Sequence, residues 1–83
     1  MDMEQEKLPV HEVIKILEVR QVYKTEKWWQ AAVLGEAFNK RFVALYLWQK
    51  KGDRWKQVHK LKVNNKRNWE QIRPLMDELV AKL

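Results

Sequence analysis

Large aromatic rings and basic side chains are interleaved in one stretch of this sequence, RFVALYLWQKKGDRWKQVHKLKV, at residues 41–63. Aromatic rings can stack on flat ligands such as nucleobases, while Lys and Arg neutralise phosphates. The same residue types also fill protein cores and cover solvated surfaces. The available chemistry therefore depends on which of these side chains share a face of the elements that carry them.

Positive charge is concentrated around this stretch. The formal net charge is +6, but residues 40–67 carry ten Lys or Arg residues and one acidic residue, Asp53. A region of one sign indicates a polyanionic partner or an anionic membrane surface. No apolar run approaches the ~20 residues that span a bilayer, and the start MDMEQEK does not resemble a signal peptide. We therefore expect a cytoplasmic protein that binds nucleic acid and no membrane.

Several classes of catalysis are disfavoured by composition. The sequence has no Cys and no Ser, and Thr25 is its one Thr, so thiol and hydroxyl nucleophiles are nearly excluded. The two His residues, His11 and His59, are too few for a His-based metal site. We expect no catalytic residues, no metal and no cofactor. Abundant Lys and Glu without Ser or Cys is also typical of heat-adapted proteins.

The length of 83 residues corresponds to one domain. We interpret residues 1–7 as a disordered polar tail and residues 8–83 as a single nucleic-acid-binding domain. So small a core often relies on self-association for stability.

The hydrophobic pattern predicts an α+β fold in which a four-stranded antiparallel sheet precedes one helix. Residues 8–23 are rich in β-branched side chains and favour a strand with a bulge over about 11–22. A short helix that runs into a strand fits this segment nearly as well, because part of it follows helical spacing. Further strands are expected at 27–36, 41–50 and 54–63.

Residues 64–83 predict a helix across one face of the sheet. Asn64 or Asn65 is suited to cap its start, and apolar residues then recur every three or four positions. The first of these, Trp69, is expected in the core. Pro74 lacks the N–H of a helix interior, so it should bend the helix or mark its last segment.

The assignment of side chains to the two faces of the sheet depends on the loop KGD. A three-residue loop, Lys51 to Asp53, pairs Lys50 with Arg54 and places even-numbered residues of both strands together. One face is then largely aliphatic and suits the helix: Val43, Leu45, Leu47, Trp55, Leu61 and Val63. The other combines rings with ammonium groups: Phe42, Tyr46, Trp48, Lys56, Lys60 and Lys62. A two-residue loop would mix these sets, and we prefer the loop that yields one apolar face.

The face of rings and ammonium groups has the composition of a single-stranded nucleic-acid groove. Burial in the core or in a dimer contact is the competing interpretation for its rings. Of the neighbours Trp28 and Trp29, one must face each way, and we take Trp28 as exposed. Cations in the first turn of the helix oppose its dipole, a conflict that a bound phosphate would relieve. The candidate nucleic-acid-binding residues are Trp28, Arg41, Phe42, Tyr46, Trp48, Lys50, Arg54, Lys56, Lys60, Lys62, Lys66 and Arg67.

The segments KWWQAAVL, FVALYLWQKKGDRWKQVHKLKV and WEQIRPLMDELV resemble the ThermoDBP-related family of archaeal single-stranded DNA-binding proteins over about residues 27–80. The layout also resembles the whirly-type module of transcriptional positive cofactor 4. The resemblance implies binding of single-stranded DNA with little sequence preference, by a homodimer or higher homo-oligomer. It also implies that Tyr46, Trp48 and the Lys-rich return strand form the binding surface.

Three alternatives remain open at this point. The partner could be RNA, because contacts to the 2′-hydroxyl leave no motif in a sequence. A small toxin-like endoribonuclease would use Tyr46, His59 and Arg54 as its candidate residues. An oligomeric protein-interaction module would use the aromatic face as its contact.

Overall fold

The computed structural model describes residues 8–83 as one antiparallel sheet followed by one helix. The strands lie in the order in which they occur along the chain. They are β1 (Lys15–Lys24), β2 (Trp28–Ala37), β3 (Lys40–Lys51) and β4 (Arg54–Val63), and helix α1 (Lys66–Val80) follows. The predicted α+β class and the four-stranded antiparallel sheet are confirmed. The predicted tail at residues 1–7 lies outside the described residues.

Residues 8–24 form an irregular segment and then a strand with two irregularities. Residues 8–14 contain a turn and no helix, and the backbone N–H of Ile14 donates to the carbonyl of His11 at 3.0 Å. The pairing of β1 with β2 shifts between Ile16 and Glu18 and again between Gln21 and Tyr23. The prediction of a bulged strand is therefore confirmed, although the strand begins later than expected.

The connection between β3 and β4 is one residue shorter than predicted. Lys51 pairs with Arg54, so the loop contains only Gly52 and Asp53. Gly52 has a φ of 62°, and a positive φ at the first loop position is typical of two-residue hairpins. The prediction of a three-residue loop is wrong.

A bulge in β4 then restores the predicted side-chain faces, which the shorter loop had exchanged. Trp48 pairs with Gln57 and Leu47 with His59, which leaves Val58 as an extra residue in β4. Beyond this bulge the partners are shifted by two residues from the predicted ones, so the predicted faces are restored: Tyr46 pairs with Lys60 and Leu45 with Leu61. Before it, the faces are exchanged. Trp55 lies on the side of the aromatic rings and Lys56 lies on the opposite side, which corrects both predictions.

The hydrophobic core lies on one face of the sheet, which we call the aromatic face. Its buried members come from the two central strands: Trp29, Ala31, Val33, Phe42, Ala44, Tyr46 and Trp48. Leu8, Val10 and Ile14 pack against this cluster, so residues 8–14 cover the aromatic face.

The predicted exposure of three rings on this face is therefore wrong. Phe42 is 6% exposed, and Tyr46 and Trp48 are 0% exposed. The physical reason is the apolar segment of residues 8–14, which we call the N-terminal segment. Its burial against the rings is favourable by about 25 cal/mol per Å² of apolar surface. The indole N–H of Trp48 also donates to the carbonyl of Pro9 at 3.2 Å.

Gly35 is required where the N-terminal segment crosses the aromatic face. A Cβ at this position would lie 3.0 Å from Cζ of Phe42 and 3.3 Å from Cγ2 of Ile14. We expect Gly35→Ala to lower the free energy of unfolding by about 1–3 kcal/mol, because the ring and the segment must both move. Urea unfolding measures the loss. Gly52→Asn is the control, since its site is open within 4 Å and Asn tolerates positive φ; an equal loss in both variants would contradict this explanation.

Helix α1 begins as predicted but does not cover the sheet within the single chain. Asn65 caps it, accepting a hydrogen bond from the N–H of Asn68 at 2.8 Å. The helix continues past Pro74 to Val80, and none of its side chains is buried. Among the described elements it approaches only β4. Trp69 is 43% exposed, so its predicted place in the core is wrong.

Candidate nucleic-acid interface

The rings of the aromatic face form a cluster that packs on itself. The ring centroids of Trp48 and Tyr46 are 5.2 Å apart with nearly parallel planes, and those of Trp48 and Trp29 are 5.0 Å apart. Trp55 meets Trp29 edge-on at 5.5 Å. Because Trp29, Phe42, Tyr46 and Trp48 are buried, the cluster is a core and offers no open stacking surface.

Lysine ammonium groups surround this cluster at the edge of the sheet. Nζ of Lys60 lies 5.3 Å from the centroids of both Phe42 and Tyr46, and Nζ of Lys62 lies 4.9 Å from that of Phe42. Nζ of Lys50 lies 5.6 Å from the centroid of Trp55. Such cation–π contacts are worth about 0.5–1 kcal/mol at exposed sites. The predicted proximity of Lys60 and Lys62 to the rings is confirmed, and their ammonium groups lie over the rings of Phe42 and Tyr46.

The opposite face of the sheet, which we call the open face, carries exposed rings in a different pattern. Trp28 pairs with Gln49, and Gln49 pairs with Lys56, so the three side chains form a row across β2, β3 and β4. In the next row, Tyr23 pairs with Gln30, and Leu47 lies between Gln30 and His59. Trp28 is 37% exposed and Tyr23 is 41% exposed.

These two rows form a surface that we call the polar platform. It comprises Tyr23, Trp28, Gln30, Leu47, Gln49, Lys56 and His59. The pair Lys51 and Arg54 extends it at the hairpin end. Two rings, two amides and a cluster of cations thus share one side of the sheet.

The cations of the polar platform have no carboxylate partner within residues 8–83. The ion pair described there joins Arg20 to Glu18 at 2.9 Å, in the other half of the open face. Asp53 is the one acidic residue in the basic stretch of residues 40–67. The charges of Lys51, Arg54 and Lys56 are therefore available to an anionic ligand.

The other half of the open face is apolar on β2, β3 and β4, and Glu18 and Arg20 border it on β1. It consists of two rows of pairs, Ala32–Leu45–Leu61 and Leu34–Val43–Val63, which we call the aliphatic patch. Val43 is 45% exposed, Leu45 is 36% exposed and Leu61 is 44% exposed. The aliphatic face that was predicted to receive the helix exists, but within residues 8–83 the helix does not cover it.

The structure divides the predicted binding residues among three locations. Trp28, Arg54 and Lys56 lie on or beside the polar platform, and the exposure of Trp28 agrees with its predicted orientation. Residues on or over the aromatic face are Phe42, Tyr46, Trp48, Lys50, Lys60 and Lys62. The remaining three lie toward the opposite end of the sheet: Arg41, Lys66 and Arg67.

Sequence reasoning missed Tyr23, Gln30 and Gln49. A signal for two of them was present, because Trp28 and Gln30, and likewise Leu47 and Gln49, alternate with buried residues of their strands. An alternation of this kind indicates a solvated sheet face. Tyr23 follows the second irregularity of β1, so its face could not be counted along the strand.

The described residues contain neither a helix long and apolar enough to cross a membrane nor a group of three potential metal-ligating side chains. Comparison of the chain with models of protein families, with curated proteins and with solved structures finds no match in any of the three. The resemblance to the ThermoDBP-related family therefore rests on the sequence pattern alone.

Proposed function

We propose that this protein binds single-stranded nucleic acid on the polar platform, with DNA as the expected ligand and little sequence preference. The observation that carries the proposal is the row Trp28–Gln49–Lys56 beside Tyr23 on one uncovered sheet face. Bases stack on exposed rings, and nearby cations hold the phosphates. Cytoplasmic location and an archaeal, heat-adapted host remain predictions from the sequence.

The spacing of the two rings suits one continuous ligand. Tyr23 faces Gln30 across the strand pair, and Gln30 lies two residues from Trp28 on the same face. Diagonal neighbours of this kind have Cα atoms about 7–8 Å apart. One oligonucleotide can therefore contact both rings while Lys56 and Arg54 lie beside it.

The endoribonuclease alternative is less well supported, because its candidate residues do not converge. Tyr46 is buried on the aromatic face, whereas His59 and Arg54 lie on the open face. A catalytic group has to be within hydrogen-bond reach of its partner or substrate. These three residues cannot form one site in this arrangement.

We also propose that the protein works as a homodimer or a higher homo-oligomer. The aliphatic patch is uncovered, and so are the apolar side chains of α1, among which Met76 is 50% exposed and Leu79 is 63% exposed. Both surfaces lack an apolar partner within residues 8–83. In an oligomer, the apolar side chains of α1 in one copy can pack against the aliphatic patch of another. The patch also adjoins the polar platform, so association would place platforms of two copies in one assembly.

Titration of fluorescent oligo-dT at two salt concentrations tests the binding proposal. Affinity should fall with salt, with a slope of about −0.7 per phosphate contacted. We expect Trp28→Ala to weaken binding about fivefold or more, because stacking is worth ~1–3 kcal/mol per base.

Trp28→Phe is the matched control, since it retains a flat ring on the platform and should lose less affinity. Unchanged binding by Trp28→Ala would contradict the platform. Competition among single-stranded DNA, duplex DNA and RNA then identifies the preferred ligand.

A further inference from the structure

The hairpin between β2 and β3 has an aromatic ring at its tip. Phe38 and Asn39 form the two-residue loop, and Phe38 is 83% exposed. Their φ angles are 54° and 64°. Hairpins of this kind favour Asn, Asp or Gly, which adopt positive φ at low cost. A bulky ring at this position is unusual, because it stabilises neither the turn nor a core.

Basic residues gather at this end of the sheet. Lys40 directly follows the loop, and Arg41 lies opposite Glu36. β4 ends at Val63, which pairs with Val43 near the start of β3, so the first turn of α1, with Lys66 and Arg67, is at the same end. Within residues 8–83, Lys40, Lys66 and Arg67 make no ion pair with a carboxylate.

We propose that Phe38 is a second stacking point for the same single-stranded nucleic acid. This inference rests on the proposed function. Strained backbone is retained at positions where a side chain has a task, and an exposed ring among cations matches the task of stacking on a base. An anionic membrane or protein surface is the competing partner for Phe38, and normal binding of both oligonucleotides by Phe38→Asn would favour such a partner.

The edge strand β4 connects the two stacking points. Lys56 belongs to the polar platform on the open face, whereas Lys60 and Lys62 lie on the aromatic face of the same edge strand, toward the end of the sheet where Phe38 lies. At about 3.3 Å per residue, Lys56 and Lys62 are about 20 Å apart along the strand. A short oligonucleotide can therefore occupy the platform alone, whereas a longer one can pass around the free edge of β4, along Lys60 and Lys62, and reach Phe38. Two contacts on one ligand strengthen its binding through effective concentration.

The test compares oligo-dT of about 4 and about 16 nucleotides, which span the usual range of site sizes. We expect Phe38→Asn to bind the short oligonucleotide like the unmodified protein and the long one about fivefold or more weakly. Asn39→Gly is the matched control, because it changes the same loop, tolerates positive φ and keeps the ring; it should bind both lengths normally. Phe38→Asn should also melt at the same or a higher temperature, since Asn suits this backbone.

The possible results separate this inference from the proposed function. Normal binding of both lengths by Phe38→Asn overturns the second stacking point and leaves the platform intact, as does an equal loss at both lengths. The two-point arrangement is supported if Phe38→Asn loses affinity only for the long oligonucleotide while Trp28→Ala loses affinity for both lengths. If the unmodified protein binds neither oligonucleotide, the proposed function fails and this inference fails with it.

Discussion

Replacement of Trp48 by Ala is expected to lower the free energy of unfolding by about 3–5 kcal/mol. Trp48 is 0% exposed, its ring lies 5.0 Å from Trp29 and 5.2 Å from Tyr46, and its indole N–H bonds to Pro9. The variant loses these contacts, and the N-terminal segment loses an anchor. Small domains have a total stability of roughly 5–15 kcal/mol, so the loss is a large fraction. Urea unfolding followed by circular dichroism measures it.

Trp28→Ala is the matched control, because it removes the same side chain from the open face. Its ring is 37% exposed, so we expect a clearly smaller loss of stability. If Trp48→Ala does not fold, Trp48→Phe is measured instead, because it keeps an aromatic ring. Its unfolding midpoint should lie below that of the unmodified protein and above that of Trp48→Ala. Equal stability of Trp48→Ala and Trp28→Ala would contradict the assignment of the two faces.

The sheet and its order could be predicted because alternation and turn residues act locally. The strands at 41–50 and 54–63 follow period-two patterns, and Gly52 marks the turn between them. The register could not be predicted, because it depends on two irregularities that together shift the pairing by two residues and so restore the faces of the side chains. The shorter loop shifts β4 by one residue, and the bulge at Val58 shifts it by one more residue in the same direction. Arg54, Trp55, Lys56 and Gln57 lie between the two irregularities, and all four are on the face opposite to the predicted one.

The choice of the covered face could not be predicted, because both faces carry apolar residues. Sequence reasoning assigned the helix to the aliphatic face and left the rings open. The structure instead places the short segment of residues 8–14 over the rings, where Leu8, Val10 and Ile14 pack. Large aromatic rings remove more apolar surface from water than aliphatic side chains do, so the face that bears them gains more from a cover. The consequence for the site is that the exposed rings are Trp28 and Tyr23.

Self-association should depend on the aliphatic patch, and Leu45→Lys is expected to disrupt it. Leu45 lies between Ala32 and Leu61 in the middle of the patch and is 36% exposed. Within one chain, a Lys at this position can extend its ammonium group into water, so the fold should be retained. Within an assembly, the same ammonium group would be buried without a partner, which is strongly unfavourable.

Sedimentation or light scattering at matched concentrations measures the effect. We expect the unmodified protein to be a dimer or a larger oligomer and Leu45→Lys to be a monomer. Gln57→Lys is the control, because it adds the same charge to β4 on the aromatic-face side and should leave the assembly intact. The role of the patch would be refuted if the unmodified protein is a monomer, or if Leu45→Lys associates as strongly as the unmodified protein. Because the patch adjoins the polar platform without including it, Leu45→Lys should still bind a short oligonucleotide, and it should lose only the added affinity that linked platforms give to a long one.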